Sequence, residues 1–411
     1  MNIRTLTALF FTLSLFACSG HQLGSSLLPT AANQSLPQGG VAALPGGGEP
    51  VCTGGIQLGQ VRCPAILNTA FGFLDNLLAT IGIIPGYHPA DLRAAYGLAS
   101  DSAGAGSTVA VIDKGDDPNA ESDLAIYRKK FGLSACTSQN GCFRKVNESG
   151  QAGGTFPAGD YAWSEEIALD LDMVSAVCPN CHILLVESNS ANIEDFMSAV
   201  DTAAGLGATE ISNSYYTSEY AGLLNDDSHF NHPGIPMTAS AGDAGYAVMF
   251  PASSEYVTAV GGTSLVRAPG TSRGWSESVW NGTSSGCSAY VPKPAWQHDT
   301  GCANRTVADI AVVGDPLTGV SAYNTYAPLG QRGWAVYGGT SIGAPIAAAI
   351  YALAGNATSI TGASYAYAHA SSFNAVLAGS NGACSPTYLC TGGPGYNGPA
   401  GLGTPNGIAG F

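Results

Sequence analysis

The chain has 411 residues, of which 45% are hydrophobic and only 10% are charged, so it is long enough for one large domain or two smaller ones. Its 29 acidic and 14 basic side chains give a formal net charge of −15 at pH 7. This acidic balance excludes a basic surface for nucleic acids or for anionic lipid headgroups. We therefore expect no nucleic-acid partner, and we expect a monomer.

The N-terminus has the pattern of an export signal. Arg4 precedes an apolar run over residues 6–17 that is too short to span a bilayer. Residues 15–18, Leu-Phe-Ala-Cys, resemble a bacterial lipobox, whose cysteine is lipidated. We therefore predict a signal peptide over residues 1–17 and a lipid anchor at Cys18, which would be the only membrane attachment. The chain would be a bacterial cell-envelope lipoprotein, or secreted if Cys18 is not lipidated.

The rest of the chain divides near residue 88. Residues 18–87 are rich in Gly, Pro, Ser, Leu and Ala, which predicts a low-complexity tether and a short appended segment. Residues 88–411 alternate strands with helices, which predicts an α/β fold, doubly wound, with a mainly parallel sheet and helices on both faces. The predicted strands cover 109–113, 182–187, 210–215, 235–240 and 256–260, and the helices cover 122–131, 164–177, 191–204 and the run after Ser341. Active sites in such sheets lie at the carboxyl ends of the strands.

The cysteines predict local disulfides. Without Cys18, ten cysteines remain in five couples that are close in sequence: Cys52/Cys63, Cys136/Cys142, Cys178/Cys181, Cys287/Cys302 and Cys384/Cys390. Such couples are typical of an oxidising compartment. Cys178 to His182 also matches C-x-x-C-H, the haem attachment signature, but a strand beginning at His182 favours the disulfide.

Ser341 is the candidate nucleophile. It follows Gly338-Gly339-Thr340 and precedes an alanine-rich run with helix propensity, with Pro345 in the first helical turn. Free backbone N–H groups and the helix dipole favour a developing negative charge at this position. The alternative is a glycine-rich turn that only caps a core helix.

Two rival interpretations of a serine nucleophile are less favourable. Residues 339–343 match G-x-S-x-G, the nucleophile elbow of α/β-hydrolases, which requires an acid and then a histidine after the serine. Residues 342–411 contain His369 but no Asp or Glu, so this order fails. A second Gly-Gly-Thr-Ser ends at Ser264, but it follows a strand and has no helix behind it. Ser341 is the better candidate.

The candidate general base is a carboxylate pair. None of the seven histidines has the helical setting of the subtilisin histidine, although the strand that ends at Asp113 resembles the subtilisin strand carrying the catalytic Asp. Glu166 and Asp170 are four residues apart and share a helix face beside an apolar stripe. Two carboxylates held close share protons, and such a base works in acid. The alternative is a solvated acidic face.

Asp243 is a candidate oxyanion donor. It lies in a glycine-flanked turn after a predicted strand, in Ala239-Ser240-Ala241-Gly242-Asp243-Ala244-Gly245. A carboxylic acid that stays protonated can donate a hydrogen bond to an oxyanion. An Asp in such a turn is otherwise an ordinary turn residue.

Over residues 86–408 the chain resembles the sedolisins, or serine-carboxyl peptidases. Residues 87–98 look like the start of the family's mature enzyme. Three stretches match the family's active-site motifs in order: Glu166-x-x-Leu169-Asp170, Ser240-x-Gly242-Asp243-x-Gly245 and Gly338-Gly339-Thr340-Ser341-x-x-x-Pro345. The resemblance implies a subtilisin-like fold and an endopeptidase most active at acid pH.

The resemblance also implies roles for individual residues. Ser341 would attack the scissile carbonyl, Glu166 would take its proton, and Asp170 would share charge with Glu166. Asp243 would hydrogen-bond the oxyanion. An edge strand, of which Ser212, Ser214 and Tyr215 are part, would pair with an extended protein or peptide substrate. The alternative is a catalytically silent relative that binds peptides.

Two departures from the family pattern concern calcium and the prodomain. The two aspartates that hold the family's calcium are replaced by Ala375 and Asn397, so we predict no metal and no other cofactor. The 70 or so residues before residue 88 are also too few to form the family's large N-terminal prodomain.

Overall fold

The computed structural model describes residues 48–54, 57–69, 73–98, 103–328, 331–357 and 360–411. The predicted signal peptide and Cys18 lie outside these residues. The strands are β1 (Gly48–Pro50), β2 (Ile66–Asn68), β3 (Thr108–Lys114), β4 (Phe143–Asn147), β5 (His182–Ser188), β6 (Glu210–Asn213), β7 (Thr217–Ser218), β8 (Met237–Ser240), β9 (Met249–Phe250), β10 (Val257–Arg267), β11 (Trp275–Val279), β12 (Gly286–Pro292), β13 (Asn304–Val307), β14 (Ile310–Val313), β15 (Val320–Asn324), β16 (Gly333–Gly338), β17 (Phe373–Asn374) and β18 (Thr404–Pro405). The α-helices are α1 (Phe73–Thr80), α2 (Pro89–Tyr96), α3 (Ala120–Lys130), α4 (Tyr161–Val177), α5 (Ile193–Gly205), α6 (Leu223–Asp226), α7 (Gly343–Ala354) and α8 (Ser364–Ala368).

An eight-stranded, mainly parallel sheet forms the centre of the domain. Its strand order is β11-β10-β8-β6-β3-β5-β4, and β14 also pairs with β10. Only β11 runs antiparallel to its neighbour. The apolar runs of β3 and β5 are buried on both faces, as parallel strands between two helical layers must be. The prediction of a subtilisin-like α/β fold is confirmed.

Alternation along β3 divides the interior into two cores. Val109 and Val111 lie in one core with residues of α4 and α7. Ala110 and Ile112 lie in the other core with residues of α5. Successive side chains of a strand point to opposite faces, so a single strand builds both layers. Asp113 follows at the carboxyl end of the strand, where the sequence places the active site.

A second sheet contains residues from the N-terminal part of the chain. Its order is β1-β2-β16-β15, and every pair is antiparallel. Within it, Ile66 pairs with Gly338 and Leu67 pairs with Tyr337. The helix α1 lies in the same part of the chain. Part of the segment predicted to be a tether is therefore built into the domain.

The prediction of an edge strand ending at Tyr215 is wrong. The strand β6 lies between β3 and β8 in the middle of the main sheet, and Ser214 and Tyr215 follow its end. Its polar residues Glu210, Ser212 and Asn213 are all buried. The Asn213 amide, for example, donates to the Thr238 carbonyl oxygen at 3.0 Å.

All five predicted disulfides are confirmed: Cys52–Cys63, Cys136–Cys142, Cys178–Cys181, Cys287–Cys302 and Cys384–Cys390. The bond between Cys178 and Cys181 occupies both thiols that a c-type haem would need, so the haem alternative is wrong. Within the part of the chain that the structure describes, no helix is both long enough and apolar enough to cross a membrane.

Candidate active site

Ser341 lies in a tight turn between a strand and a buried helix. The strand β16 ends at Gly338, Gly339 has a φ of +98°, and a 3₁₀ turn over Thr340–Ile342 leads into α7. Glycine is the residue that adopts such a φ without strain. Ser341 is fully buried, and its Oγ makes no hydrogen bond of ordinary geometry to any described residue. The hydroxyl is thus free of a competing structural role.

The two carboxylates of α4 lie inside the protein. Asp160 caps the helix, since its Oδ1 accepts the backbone N–H groups of residues 162 and 163. Every residue from Trp163 to Val177 is buried because α4 packs among the sheet, α3 and α7. Glu166 and Asp170 are both 0% exposed. The alternative of a solvated acidic face is therefore wrong.

Ser214 connects Asp170 to the serine turn. Its Oγ donates to Asp170 Oδ1 at 2.8 Å and lies 3.3 Å from the Ser341 carbonyl oxygen. Glu166 Oε2 accepts the backbone N–H of Ala65 at 3.0 Å. The second oxygen of each carboxylate is buried and has no hydrogen-bond partner among the described residues. These oxygens can accept or hold a proton.

The acids in this cluster favour a shared, partly protonated state. Burial raises the pKa of Glu166 well above its usual range, and the Asp113 carboxylate raises it further, while the Ser341 hydroxyl and the Ala65 N–H lower it. Burial, Asp113 and Glu166 raise the pKa of Asp170, against a lowering by Ser214. Burial also raises the pKa of Asp113, whose two oxygens have no partner in the described ranges. Three neighbouring buried carboxyls cannot all be ionised together.

Asp243 reaches the serine turn from the opposite side. Its Oδ1 accepts the Thr340 N–H at 2.9 Å and the Thr340 hydroxyl at 2.7 Å. Thr340 Oγ1 in turn accepts the Gly242 N–H at 3.1 Å, so the two motifs hold each other in place. Asp243 Oδ2 is buried without a partner in the described chain, although the residue as a whole is partly exposed.

Burial raises the pKa of Asp243 to about 7, even though the Thr340 donors and Arg62 lower it. In acid, the carboxyl is therefore protonated. Because Oδ1 already accepts two hydrogen bonds, the proton belongs on Oδ2, from which it can be donated to a substrate oxygen.

The sequence and the fold of this chain are similar to those of several known proteins. No model of a known protein family matches the chain. Kumamolisin from Bacillus sp. (strain MN-32) is 28% identical over 363 residues, covering 78% of this chain and 62% of that protein. Sedolisin from Pseudomonas sp. (strain 101) is 27% identical over 314 residues, covering 66% and 50%. A solved structure, Pseudomonas sedolisin, a serine-carboxyl proteinase complexed with two molecules of pseudo-iodotyrostatin, superposes with a TM-score of 0.64 at 25% identity. It covers 78% of this chain and 95% of that one.

In sequence and in fold, the chain is similar to the sedolisins. The alignments span only 62% and 50% of the length of the two curated relatives.

The positions that match the calcium ligands of the sedolisins, Ala375 and Asn397, do not suit a hard cation. The Asn397 side-chain amide donates to the carbonyl oxygens of Val376 and Gly393, each at 3.3 Å, and its oxygen accepts the Ala400 N–H at 3.1 Å. The Asn397 N–H groups thus bind two nearby carbonyl oxygens, of which that of Val376 also accepts the Gly393 N–H at 3.0 Å, and Ala375 offers no side-chain ligand. No group of three or more acidic, His or Cys side chains in the described ranges is arranged to hold a metal. The absence of calcium stays a prediction.

Sequence reasoning missed several residues of this site. Asp113 was noted only for its place at the end of β3, and its burial beside Glu166 and Asp170 was not foreseen. Ser214 was predicted to bind substrate, but its hydroxyl contacts Asp170. Ser212 lies inside the central strand, and Tyr215 is buried with its hydroxyl donating to Asn213 at 2.8 Å. The only sequence signal for these positions is the run of polar residues at the end of β6, in Ser212-Asn213-Ser214.

Proposed function

We propose that this chain is an acid-active serine-carboxyl endopeptidase that hydrolyses proteins or peptides. One observation carries the proposal. The turn of Ser341 is tied on one side to Asp170 through the Ser214 hydroxyl, and on the other side to Asp243 through Thr340. Two of the three acids matching the family motifs therefore hold the turn of the nucleophile, and the third, Glu166, has its pKa lowered by the Ser341 hydroxyl, which supports a complete catalytic set.

The proposed reaction follows from these contacts. Ser341 Oγ attacks the scissile carbonyl carbon while Glu166 accepts the hydroxyl proton, and Asp170 shares the resulting charge and proton. Asp243 donates from Oδ2 to the oxyanion. Glu166 then protonates the leaving amine, and a water molecule hydrolyses the acyl-enzyme by the same steps in reverse order.

The proposed pH dependence follows from the sign of the pKa shifts. Asp243 must be protonated to donate, so activity should be lost as the pH rises through about 7. Glu166 and Asp170 have raised pKa values, so the pair keeps one proton well into the range where Asp243 is protonated, and activity should fall in stronger acid, once a second proton leaves no carboxylate to accept the Ser341 proton. The two effects together confine activity to a range of pH below about 7.

The proposed location is outside the cytoplasm. Five disulfides are typical of an oxidising compartment, which supports export. Lipidation at Cys18 remains part of the proposal, as do a monomeric state and the absence of any cofactor.

The test is digestion of an unfolded protein by purified chain from pH 3 to pH 8, beside Ser341→Ala and a matched control. Ser264→Ala is that control, because Ser264 ends the other Gly-Gly-Thr-Ser and its hydroxyl only donates to Asp315. We expect digestion in acid by the wild type and by Ser264→Ala, and none by Ser341→Ala. Digestion that survives Ser341→Ala would place the nucleophile elsewhere. A folded wild type that digests nothing would favour the silent, peptide-binding relative.

A further inference from the structure

Ser284 binds the backbone on both sides of Asp243. Its N–H donates to the Gly242 carbonyl oxygen at 2.7 Å, and its Oγ accepts the Ala244 N–H at 3.0 Å. Ser284 is 0% exposed, so water does not compete for either hydrogen bond. Thr340 holds the Asp243 carboxyl group, whereas Ser284 holds the backbone that carries it.

The residues that follow Asp243 are bound from the same side. The Gly245 N–H donates to the Gly282 carbonyl oxygen at 2.9 Å, and the Tyr246 N–H donates to the Asn381 carbonyl oxygen at 3.1 Å. A Cβ built on Gly245 would lie 2.9 Å from that same Asn381 oxygen, so the contact also depends on glycine at this position. The turn that carries Asp243 is therefore fixed before and after the aspartate.

Asn381 holds the neighbours of Ser284 on both sides. Its Nδ2 donates to the Thr283 carbonyl oxygen at 2.7 Å and to Ser285 Oγ at 2.8 Å. A side-chain amide has two N–H groups, so both are in use here. Asn381 therefore fixes the position of Ser284 with its side chain and that of Tyr246 with its carbonyl oxygen.

A loop closed by a disulfide holds Asn381 in turn. The Asn381 N–H donates to the Cys390 carbonyl oxygen at 3.0 Å, and Ser285 Oγ donates to the Leu389 carbonyl oxygen at 2.8 Å. Both acceptors belong to the loop that the Cys384–Cys390 disulfide closes. A crosslink removes conformations that an open loop would sample. The disulfide therefore keeps both carbonyl oxygens where Asn381 and Ser285 need them.

We propose that Ser284 and Asn381 are positioning residues for the oxyanion donor Asp243, and that the Cys384–Cys390 disulfide holds them in place. The proposal rests on the proposed peptidase function. Neither residue touches the reacting atoms, but together they fix the backbone from which Asp243 directs Oδ2. A displacement of about 1 Å in a catalytic group can cost about a hundredfold in rate. Loss of these contacts therefore slows the chemical step and leaves substrate binding unchanged.

Loss of these contacts also changes the surroundings of the Asp243 carboxyl group. Burial raises its pKa to about 7, while the Thr340 donors and Arg62 lower it. Glu166 and Tyr216 face it as well, because the Asp243 carboxylate raises the pKa of both. A loosened turn admits water and loses part of the burial, so the pKa of Asp243 should fall toward its ordinary value. The alkaline limb of the kcat profile should then move to lower pH.

The first test compares Ser284→Ala with a matched serine. Ser254→Ala is the control, because Ser254 is also 0% exposed and its Oγ also accepts a backbone N–H, that of Tyr256 at 3.1 Å. In peptide hydrolysis at pH 5, Ser284→Ala should lower kcat by about tenfold to a hundredfold and leave KM within about twofold. Its alkaline limb should move to lower pH, and Ser254→Ala should match wild type in both respects. Equal losses of kcat in the two variants, or a raised KM with kcat unchanged, would overturn the proposal.

A double variant tests whether Asn381 acts through Ser284. Asn381→Ala alone should lower kcat as Ser284→Ala does. Residues that act in one path show losses that do not multiply. In the double variant, the loss of kcat should therefore be close to the larger of the two single losses. A loss equal to their product would show that Asn381 acts by another route, which contradicts the proposal.

Two disulfides of equal loop length test the role of the loop. Cys384–Cys390 and Cys136–Cys142 each join cysteines with a sequence separation of 6, so their removal relaxes the unfolded chain to a similar extent. We expect Cys384→Ser with Cys390→Ser to lower kcat and to move its alkaline limb. Cys136→Ser with Cys142→Ser should change neither. An unchanged kcat profile in the first pair would exclude a role for its disulfide.

Amide hydrogen exchange tests the same contacts without any need for activity. In a Ser341→Ala background, the N–H groups of Ala244 and Tyr246 should exchange about tenfold faster or more when Ser284 or Asn381 is replaced by Ala. Ser254→Ala should leave their exchange unchanged. If exchange is unchanged in all variants, the proposal fails even in an active peptidase. If exchange is faster but the folded wild type digests no protein, the peptidase function fails and the positioning of the turn stands.

Discussion

Replacement of Asp243 by Asn tests whether this residue acts as a neutral donor. The Asn carbonyl oxygen can accept both hydrogen bonds that Oδ1 receives from Thr340, and the amide then places an N–H where Oδ2 lies. Asn is neutral at every pH, whereas burial raises the pKa of Asp243 to about 7. About 99 in 100 wild-type chains therefore carry the donor proton at pH 5, and about 1 in 10 do so at pH 8.

The assay is kcat for hydrolysis of a peptide substrate from pH 4 to pH 8, because kcat reports groups in the enzyme–substrate complex. In acid, we expect the kcat of Asp243→Asn to stay within about tenfold of the wild-type kcat. Between pH 5 and pH 8, the fall in kcat should be about tenfold smaller for Asp243→Asn than for wild type. Asp243→Ala, which removes the donor, should lose roughly 10²–10³ in kcat. The reasoning is refuted if Asn is as inactive as Ala in acid, or if the Asn and wild-type profiles fall at the same pH.

Three further changes test the buried groups. Burial raises the pKa of Glu165 to about 7, so its bound proton stabilises the folded state below the pKa of the unfolded state, and this stabilisation is lost as the pH rises through about 7. Relative to wild type, Glu165→Gln should therefore gain up to about 3 kcal/mol in the free energy of unfolding between acid and pH 8. The measurement is urea unfolding in a Ser341→Ala background, and an unchanged pH dependence would contradict this. Asp113→Asn should move the acid limb of the kcat profile to lower pH, because the Asp113 carboxylate raises the pKa of Glu166; a limb that stays in place would exclude that coupling. Asn397→Ala should cost about 1–3 kcal/mol of stability, and a chelator should leave the Tm of the wild type unchanged; a Tm that falls with chelator would reveal a bound metal.

The sequence was most informative where local pattern decides the structure. Strands and helices that are apolar throughout are buried between two layers of an α/β domain. This pattern predicted the positions of β3, β5 and α7. The cysteine couples are so close in sequence that distant pairing would need large backbone movements. Glu166 and Asp170 could be placed on one helix face because a helix sets their spacing.

The sequence was least informative where burial reverses the meaning of a polar residue. α4 has four acidic side chains and one serine in its first twelve residues, a pattern typical of a solvated face, yet these side chains are buried by the sheet and the neighbouring helices. β6 is also polar and also central. Its partners, such as Thr238, are distant in sequence, so no local pattern could identify them.

The N-terminal residues show a related limit. Their composition indicates a tether, since glycine and proline are frequent and charge is scarce. Residues 61–67 are instead held in place by backbone hydrogen bonds to Tyr216, Ala191 and β16, together with the Cys52–Cys63 disulfide. Backbone pairing depends little on side-chain identity, so composition does not record it.

The placement of the disulfides shows which parts of the chain they constrain. Each of the five joins cysteines that are at most 15 residues apart in sequence. A crosslink restricts the unfolded chain less when the loop that it closes is shorter. These five bonds therefore hold individual loops in shape, and the long-range order of the main sheet depends on its buried layers rather than on crosslinks.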